Sequence, residues 1–212
     1  MNEIYDFMVE KYGYDEPIFT NDLKNELNRN PSAFRQTIKR LSDNGLITKV
    51  ESGIYFIPNK NSVLKKPMLS VDKIVRKKFL TNQEEIIGYR TGINFANRLG
   101  LTTQTASIPT IVTNNTSSNK REVFFYNKKI IVRKPKTKVN SRNYKFLQVL
   151  DLLKDFERLS EEPIEEAKDK IIDYLKDVTL SETEYKNYLN SYPVQTRIKF
   201  YESGVYNEIA RR

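Results

Sequence analysis

The hydrophobic positions of this chain change their period twice. In the first sixty residues the spacing is helical. Ile4, Phe7, Met8 and Tyr12 share one face of a helix over residues 2–12, and Leu23 and Leu27 one face of a helix over residues 21–27. Gly13 stops the first helix, Glu16-Pro17-Ile18-Phe19 reads as an extended entry, and Thr20 suits the cap of the second. A third helix starts at Pro31, with Phe34, Ile38 and Leu41 at i, i+4 and i+7. Asn30 suits its N-cap, Pro31 its first position, and Asn44-Gly45 its left-handed stop. Asn28-Arg29 is a connection as short as a helix-turn-helix needs. Behind the third helix the period becomes two. Residues 46–50 and 54–57 read as a hairpin around Ser52-Gly53. Helix, helix, helix, hairpin is the order of a winged helix-turn-helix, expected over residues 1–60.

A polar stretch follows, with a linker expected at residues 61–68. Ser70 then caps a helix to about residue 80, with Val71, Ile74, Val75 and Phe79 on one face and Lys73, Arg76, Lys77 and Lys78 on the other. That basic face reads equally as solvated surface or as a contact for nucleic acid or a protein partner. A short helix fits between Gly92 and Leu99. Residues 108–113 read as a strand, and residues 122–126 and 129–133 as two more joined by a tight Asn127-Lys128 turn. The alternation of Val123 and Phe125 against Phe124 and Tyr126 predicts a sheet covered on at least one side. From Tyr144 the spacing is helical again. Phe146, Val149, Leu150, Leu153 and Phe156 mark one helix. Ala167, Ile171, Ile172 and Leu175 mark a second behind Pro163, and Tyr185 and Leu189 a third behind Ser181. A fourth follows Pro193 with Val194, Ile198 and Phe200 or Tyr201. After Gly204 a last short helix carries Val205, Tyr206 and Ile209. The expected class is α+β: a winged helix, then a C-terminal domain over residues 69–212 with a small antiparallel sheet and a helical C-terminal part.

Charge adds to this picture. Net charge is +9 and the pI is near 9.5, a balance that suits nucleic acid or an acidic protein partner. The excess is uneven. Residues 1–66 carry ten Lys/Arg against nine Asp/Glu, residues 67–145 sixteen against four, and residues 146–212 ten against fourteen. The third helix nevertheless has a polar face free of acid: Ser32, Arg35, Gln36, Lys39 and Arg40, the side-chain types that read purine edges and hold phosphates. A second basic window holds Lys120, Arg121, Lys128, Lys129, Arg133, Lys134, Lys136, Lys138, Arg142 and Lys145, with Glu122 the only acid and Phe124, Phe125, Tyr126 and Tyr144 interleaved. It reads as a further DNA or RNA contact, as a docking surface for an acidic partner, or as an ordinary lysine-rich hairpin and linker.

Composition argues against catalysis. Without Cys there is no disulfide, thiolate metal site or Cys nucleophile, and without His the usual general base and the commonest zinc ligand are missing. Gly88-x-x-x-Gly92 lacks the Gly-Lys-Ser/Thr of a phosphate loop. Asp72, Glu84, Glu85 and Glu122, the acids of the basic middle region, show no catalytic spacing. No cofactor or metal is expected. No apolar run approaches the ~20 residues of a membrane span. The amphipathic start does not read as a signal peptide, so a soluble, cytoplasmic protein is expected.

Two stretches carry a resemblance. Gly-Tyr-Arg-Thr-Gly-Ile-Asn-Phe-Ala-Asn-Arg-Leu-Gly-Leu-Thr-Thr-Gln, residues 88–104, is followed by Ile-Pro-Thr-Ile-Val-Thr-Asn, residues 108–114. Behind a short winged helix, this order resembles the AbiEi-type antitoxins, the antitoxin and transcriptional regulator of AbiE abortive-infection toxin–antitoxin systems. Leu99 to Gln104 is the most specific run, and Tyr192-Pro193 before a basic-apolar helix is also similar. The resemblance implies a winged helix that binds inverted repeats in its own promoter and represses the operon. It also implies a C-terminal domain that neutralises a nucleotidyltransferase-like toxin in phage defence. It assigns DNA reading to Ser32, Arg35, Gln36, Lys39 and Arg40, with a wing around Lys49 and Ser52. The positive face of the C-terminal domain would be Lys120, Arg121, Lys128, Lys129, Arg133, Lys134, Lys136 and Lys138, touching DNA or toxin. The expected partners are operator DNA, bound by one copy or a dimer, and the toxin. The alternative is an enzyme or accessory subunit of nucleic-acid processing, with the basic sheet as its channel.

Overall fold

The computed structural model describes residues 3–27, 30–59 and 67–210, and it is a mixed α+β structure. The chain forms two compact units, residues 1–77 with 125–127, and residues 78–124 with 128–212. The connection at residues 28–29 and positions 61–66 of the expected linker lie outside the described residues.

The first unit opens with α1 (Glu3–Tyr12), β1 (Ile18–Phe19) and α2 (Thr20–Leu27). α3 (Pro31–Asp43), β2 (Thr48–Glu51), β3 (Ile54–Phe56) and α4 (Val71–Val75) follow. The extended entry becomes a strand because β3 has a free edge: β1 pairs antiparallel with it, giving a three-stranded sheet ordered β1-β3-β2. Thr20 does not cap α2. It is the first helical residue, and its hydroxyl and amide both donate to the Gly53 carbonyl, at 3.3 and 2.9 Å. Ile4, Met8, Ile18, Leu23, Phe34, Ile38, Leu41, Ile47 and Ile57 fill the core between helices and sheet.

Ser70 caps α4, its hydroxyl accepting from the Asp72 amide at 3.2 Å, and the helix widens into a π-turn at Arg76–Leu80. Its basic face is not free surface. Lys73 donates to the Asp15 carbonyl and to Glu16, at 2.9 and 2.6 Å. Lys77 donates to the Pro17 carbonyl at 2.7 Å and lies 4.6 Å from the centre of the Tyr12 ring, and burial pulls its ammonium below the usual lysine range.

The second unit adds β4 (Thr81–Asn82), β5 (Glu85–Ile86), β6 (Gly88–Thr91), α5 (Ile93–Arg98), β7 (Thr110–Thr113), β8 (Lys120–Phe125) and β9 (Lys128–Arg133). Its helical part is α6 (Tyr144–Lys154), α7 (Phe156–Leu159), α8 (Ile164–Tyr174), α9 (Glu182–Asn190), α10 (Val194–Glu202) and α11 (Val205–Ala210). Strands β4 and β5 pair with each other, and the larger sheet is ordered β6-β7-β9-β8. That sheet is not purely antiparallel, as expected, but mixed. β6 and β7 run antiparallel, while β7 and β9 run parallel with Thr110 opposite Ile131.

Gly88 and Gly92 have structural explanations. A Cβ on Gly88 would stand 2.6 Å from the Val112 carbonyl oxygen and closer still to that of Phe79, so only glycine lets β6 approach. Gly92 starts α5 at φ 74°, ψ −153°, a region open essentially to glycine. The β8–β9 turn is Tyr126-Asn127, one residue earlier than the spacing predicts. Both residues have positive φ, 47° and 66°, as a tight two-residue hairpin turn requires. Asn adopts that conformation far more readily than Tyr; the Tyr126 hydroxyl accepts from the Leu69 amide at 3.3 Å.

α6 is the axis of the second unit. Phe146, Leu147, Gln148, Val149, Leu150, Leu152 and Leu153 are all buried, so it is covered on every side rather than on one face. Polar bonds tie it to β6: the Tyr89 hydroxyl donates to Asp151 at 2.9 Å, and the Gln148 amide to the Arg90 carbonyl. α10 packs on α6 through Phe200, whose ring meets Phe146 edge-on at 5.6 Å. The side chain of Ile209 lies outside the described residues.

Candidate nucleic-acid interface

α3 is defined at both ends by its own sequence. The Asn30 side chain accepts from the Ser32 amide at 2.9 Å, and Pro31 occupies the first helical position. At the other end Gly45 adopts φ 69°. The Leu46 amide returns to the Leu41 carbonyl and the Gly45 amide to that of Ser42, each at 3.0 Å, a Schellman stop. Phe34, Ile38 and Leu41 are buried. The opposite face presents Ser32, Arg35, Gln36, Lys39 and Arg40, all exposed. The Arg35 Nε donates back to the Pro31 carbonyl at 3.1 Å, which fixes the root of that guanidinium along the helix. Asp43, also exposed, stands one turn beyond Lys39 at the C-terminal end. Lys49 and Ser52 are exposed on the β2–β3 hairpin directly behind α3. The register of that hairpin shifts between Lys49 and Glu51, so Val50 is an extra residue that re-aims the strand end.

The second basic window divides into three parts. Lys129 pairs with Glu122 at 3.0 Å. Arg121 donates to the Thr116 hydroxyl at 3.2 Å and lies 5.8 Å from the centre of the Phe79 ring. Arg133 is half-buried, and its charge acts on Asp151, a carboxyl that burial raises above its usual range. Lys129 is therefore neutralised and Arg133 partly withdrawn, while Arg121 stays exposed but held in place. Lys120, Lys128, Lys134, Lys136 and Lys138 are exposed and, among the described residues, form no ion pair. The last three make the contiguous part. Lys134, Lys136 and Lys138 face solvent in alternation with Pro135, Thr137 and Val139, which face the protein. Val139 is held by Asn114, whose side chain accepts from the Val139 amide and donates to its carbonyl, at 2.9 and 2.8 Å. Phe124 is exposed on β8.

The run from Leu99 to Gln104 is anchored to the segment that leads into α8. Leu101 is buried, and the segment wraps around the carboxylate of Glu161. That carboxylate accepts from the Thr102 hydroxyl at 2.7 Å and the Thr103 amide at 3.1 Å, bonds that hold it below the ordinary glutamate range. Lys170 closes the same corner, donating to the Gly100 carbonyl at 2.8 Å and to Glu162 at 2.6 Å. Nothing in the local pattern joins positions 102 and 161. Among the described residues no group of three or more acidic, His or Cys side chains is placed to hold a metal ion. No described helix is long and apolar enough to cross a membrane.

None of the curated proteins matches this chain in sequence. A family model does match it, over residues 18–183, from β1 through the start of α9 and so across both units. On that coverage, the chain belongs to the family of unknown function DUF6088.

Proposed function

We propose that the protein is a DNA-binding antitoxin and autorepressor: a winged helix-turn-helix that binds its own promoter, joined to a domain that neutralises a nucleotidyltransferase-like toxin. The observation that carries the DNA half is α3. A helix capped at both ends and buried through Phe34, Ile38 and Leu41 turns two arginines, a lysine, an amide and a hydroxyl to solvent, with a hairpin immediately behind it. In a winged helix that face enters the major groove and the hairpin tip, here Lys49 to Ser52, lies beside it. The row Lys134, Lys136 and Lys138 supports a sequence-independent phosphate contact by the second unit. The toxin half rests on the resemblance of residues 88–114 to AbiEi-type antitoxins. In this reading the protein has no catalytic role. Regulation and neutralisation are both binding events, and they need neither His nor Cys, both absent from the sequence.

The test is Arg35→Ala combined with Lys39→Ala, footprinted on the promoter upstream of its own gene. Each lost base contact costs about 1–3 kcal/mol, so specific protection should vanish at concentrations that saturate the wild type. Growth rescue from the toxin encoded beside it should persist. Normal protection by the double variant would remove α3 from the role of recognition helix.

A further inference from the structure

The apolar spacing of α10 is that of a buried face: Val194, Ile198 and Tyr201 stand at i, i+4 and i+7. The fold buries the other side of the helix. Thr196 and Phe200 are in the interior, whereas Val194, Ile198 and Tyr201 remain 57%, 41% and 47% exposed. These are three of the six large exposed hydrophobic residues among the described residues, and they lie on one helix. Single exposed hydrophobics are ordinary; a stripe at helical spacing marks an interaction surface. α9 supplies the facing wall. With Lys186, Leu189, Asn190 and Arg197, the stripe lines a groove of about 310 Å³.

The polar lining of the groove is basic. Lys186 already pairs with Glu182 at 2.5 Å. Arg197 has no carboxylate partner among the described residues: its Nη1 donates to the Asn190 side chain at 3.3 Å, and its Nε is buried without an acceptor. With only a neutral amide as partner to its Nη1, the guanidinium keeps a charge at the groove that a carboxylate complements. The apolar floor fits a side chain rather than a phosphate. Anchors at i, i+4 and i+7 are how one amphipathic helix receives another.

We infer that this groove docks a helix of the neutralised toxin, one that presents two apolar side chains a turn apart and a carboxylate that reaches Arg197. The inference rests on the antitoxin reading above and adds where, and through what chemistry, neutralisation occurs.

The experiment uses the full chain co-expressed with the toxin encoded beside it. A photo-reactive phenylalanine replaces Ile198, or exposed Thr179 as the control position. Position 198 should cross-link to a toxin segment of that composition, and position 179 should not. Ile198→Glu should weaken toxin association at least about tenfold and abolish rescue, while the toxin-free protein melts as the wild type does. Arg197→Gln should weaken association less, with Arg197→Lys restoring part of it. Four results overturn the proposal: rescue and association unchanged in Ile198→Glu, no cross-link from position 198, a cross-link to a second copy of this chain, or a cross-linked segment without a carboxylate. In each of these the wild type still rescues growth, so the antitoxin reading stands. If the wild type neither binds nor rescues, that reading falls and the groove proposal falls with it.

Discussion

α3 and α10 are both short amphipathic helices with an outward face, and they are built on opposite logic. In α3 every local signal agrees. A side-chain cap, a proline at the first position and a glycine stop enclose three apolar residues that are all buried, with polar residues opposite them. In α10 the signals conflict. Pro193 offers no side-chain cap, and the apolar residues at the best helical spacing face water. A helix whose levels agree is specified by its own sequence; one whose levels conflict is held by packing, here through Phe200, and the docking proposed above would account for the conflict. The outward face of α3 is polar and suits a nucleic acid. That of α10 is apolar with a cationic rim and suits a protein.

The strongest way to break this contrast is to make the same change on both helices. Ile38 is buried on α3, and Ile38→Ala removes three carbons from the core of the first unit. Such truncations cost about 2–5 kcal/mol, against the 5–15 kcal/mol that holds a typical protein folded. Urea denaturation should show the first unit losing a large part of its stability, with promoter binding lost in parallel. A cost below about 1 kcal/mol would mean that α3 is not seated as described.

Much of α3 is readable without coordinates because its determinants are local: Asn30, Pro31 and Gly45 lie within fifteen residues of one another. Where pairing is remote, local pattern fails. β6 reads as Gly-Tyr-Arg-Thr, too short and polar to alternate, and becomes a strand because Gly88 permits close approach and β7 offers an edge. The parallel β7–β9 pairing leaves no local trace at all. For α10 the period is right and the face is wrong. Val194, Ile198 and Tyr201 fit an inward stripe better than Thr196 and Phe200 do, and what decides is the ring of Phe146 on α6. The same division holds for the candidate interface. Exposure of Arg35 and Lys39 follows from their lying off the Phe34, Ile38 and Leu41 stripe, but the half-burial of Arg133 depends on the sheet's tertiary packing, and the pairing of Lys129 on Glu122 across a hairpin.

A smaller effect tests whether local signals are what distinguish the two helices. Asn30→Ala deletes the acceptor for the Ser32 amide, and N-cap deletions cost about 0.5–2 kcal/mol. Asn30→Ser should restore most of the loss, because a hydroxyl also accepts from an exposed amide. Thermal melts of the three proteins order them as wild type, serine, alanine. Equal melting temperatures would show that α3, like α10, is held by packing alone.

The smallest expected effect is the other half of the paired change. Ile198→Ala removes the same atoms as Ile38→Ala, from a side chain already 41% exposed. Part of its contact with the groove is lost, but alanine is the better helix former by a few tenths of a kcal/mol, which offsets some of the loss. The net change in the toxin-free protein should lie within about 0.5 kcal/mol, as for other surface positions. Only the complex should register the substitution, through a several-fold faster dissociation of the toxin. A cost of about 2 kcal/mol or more in the protein alone would mean that Ile198 is already covered, and α10 would then be an ordinary core helix whose apparent conflict of signals carries no functional meaning.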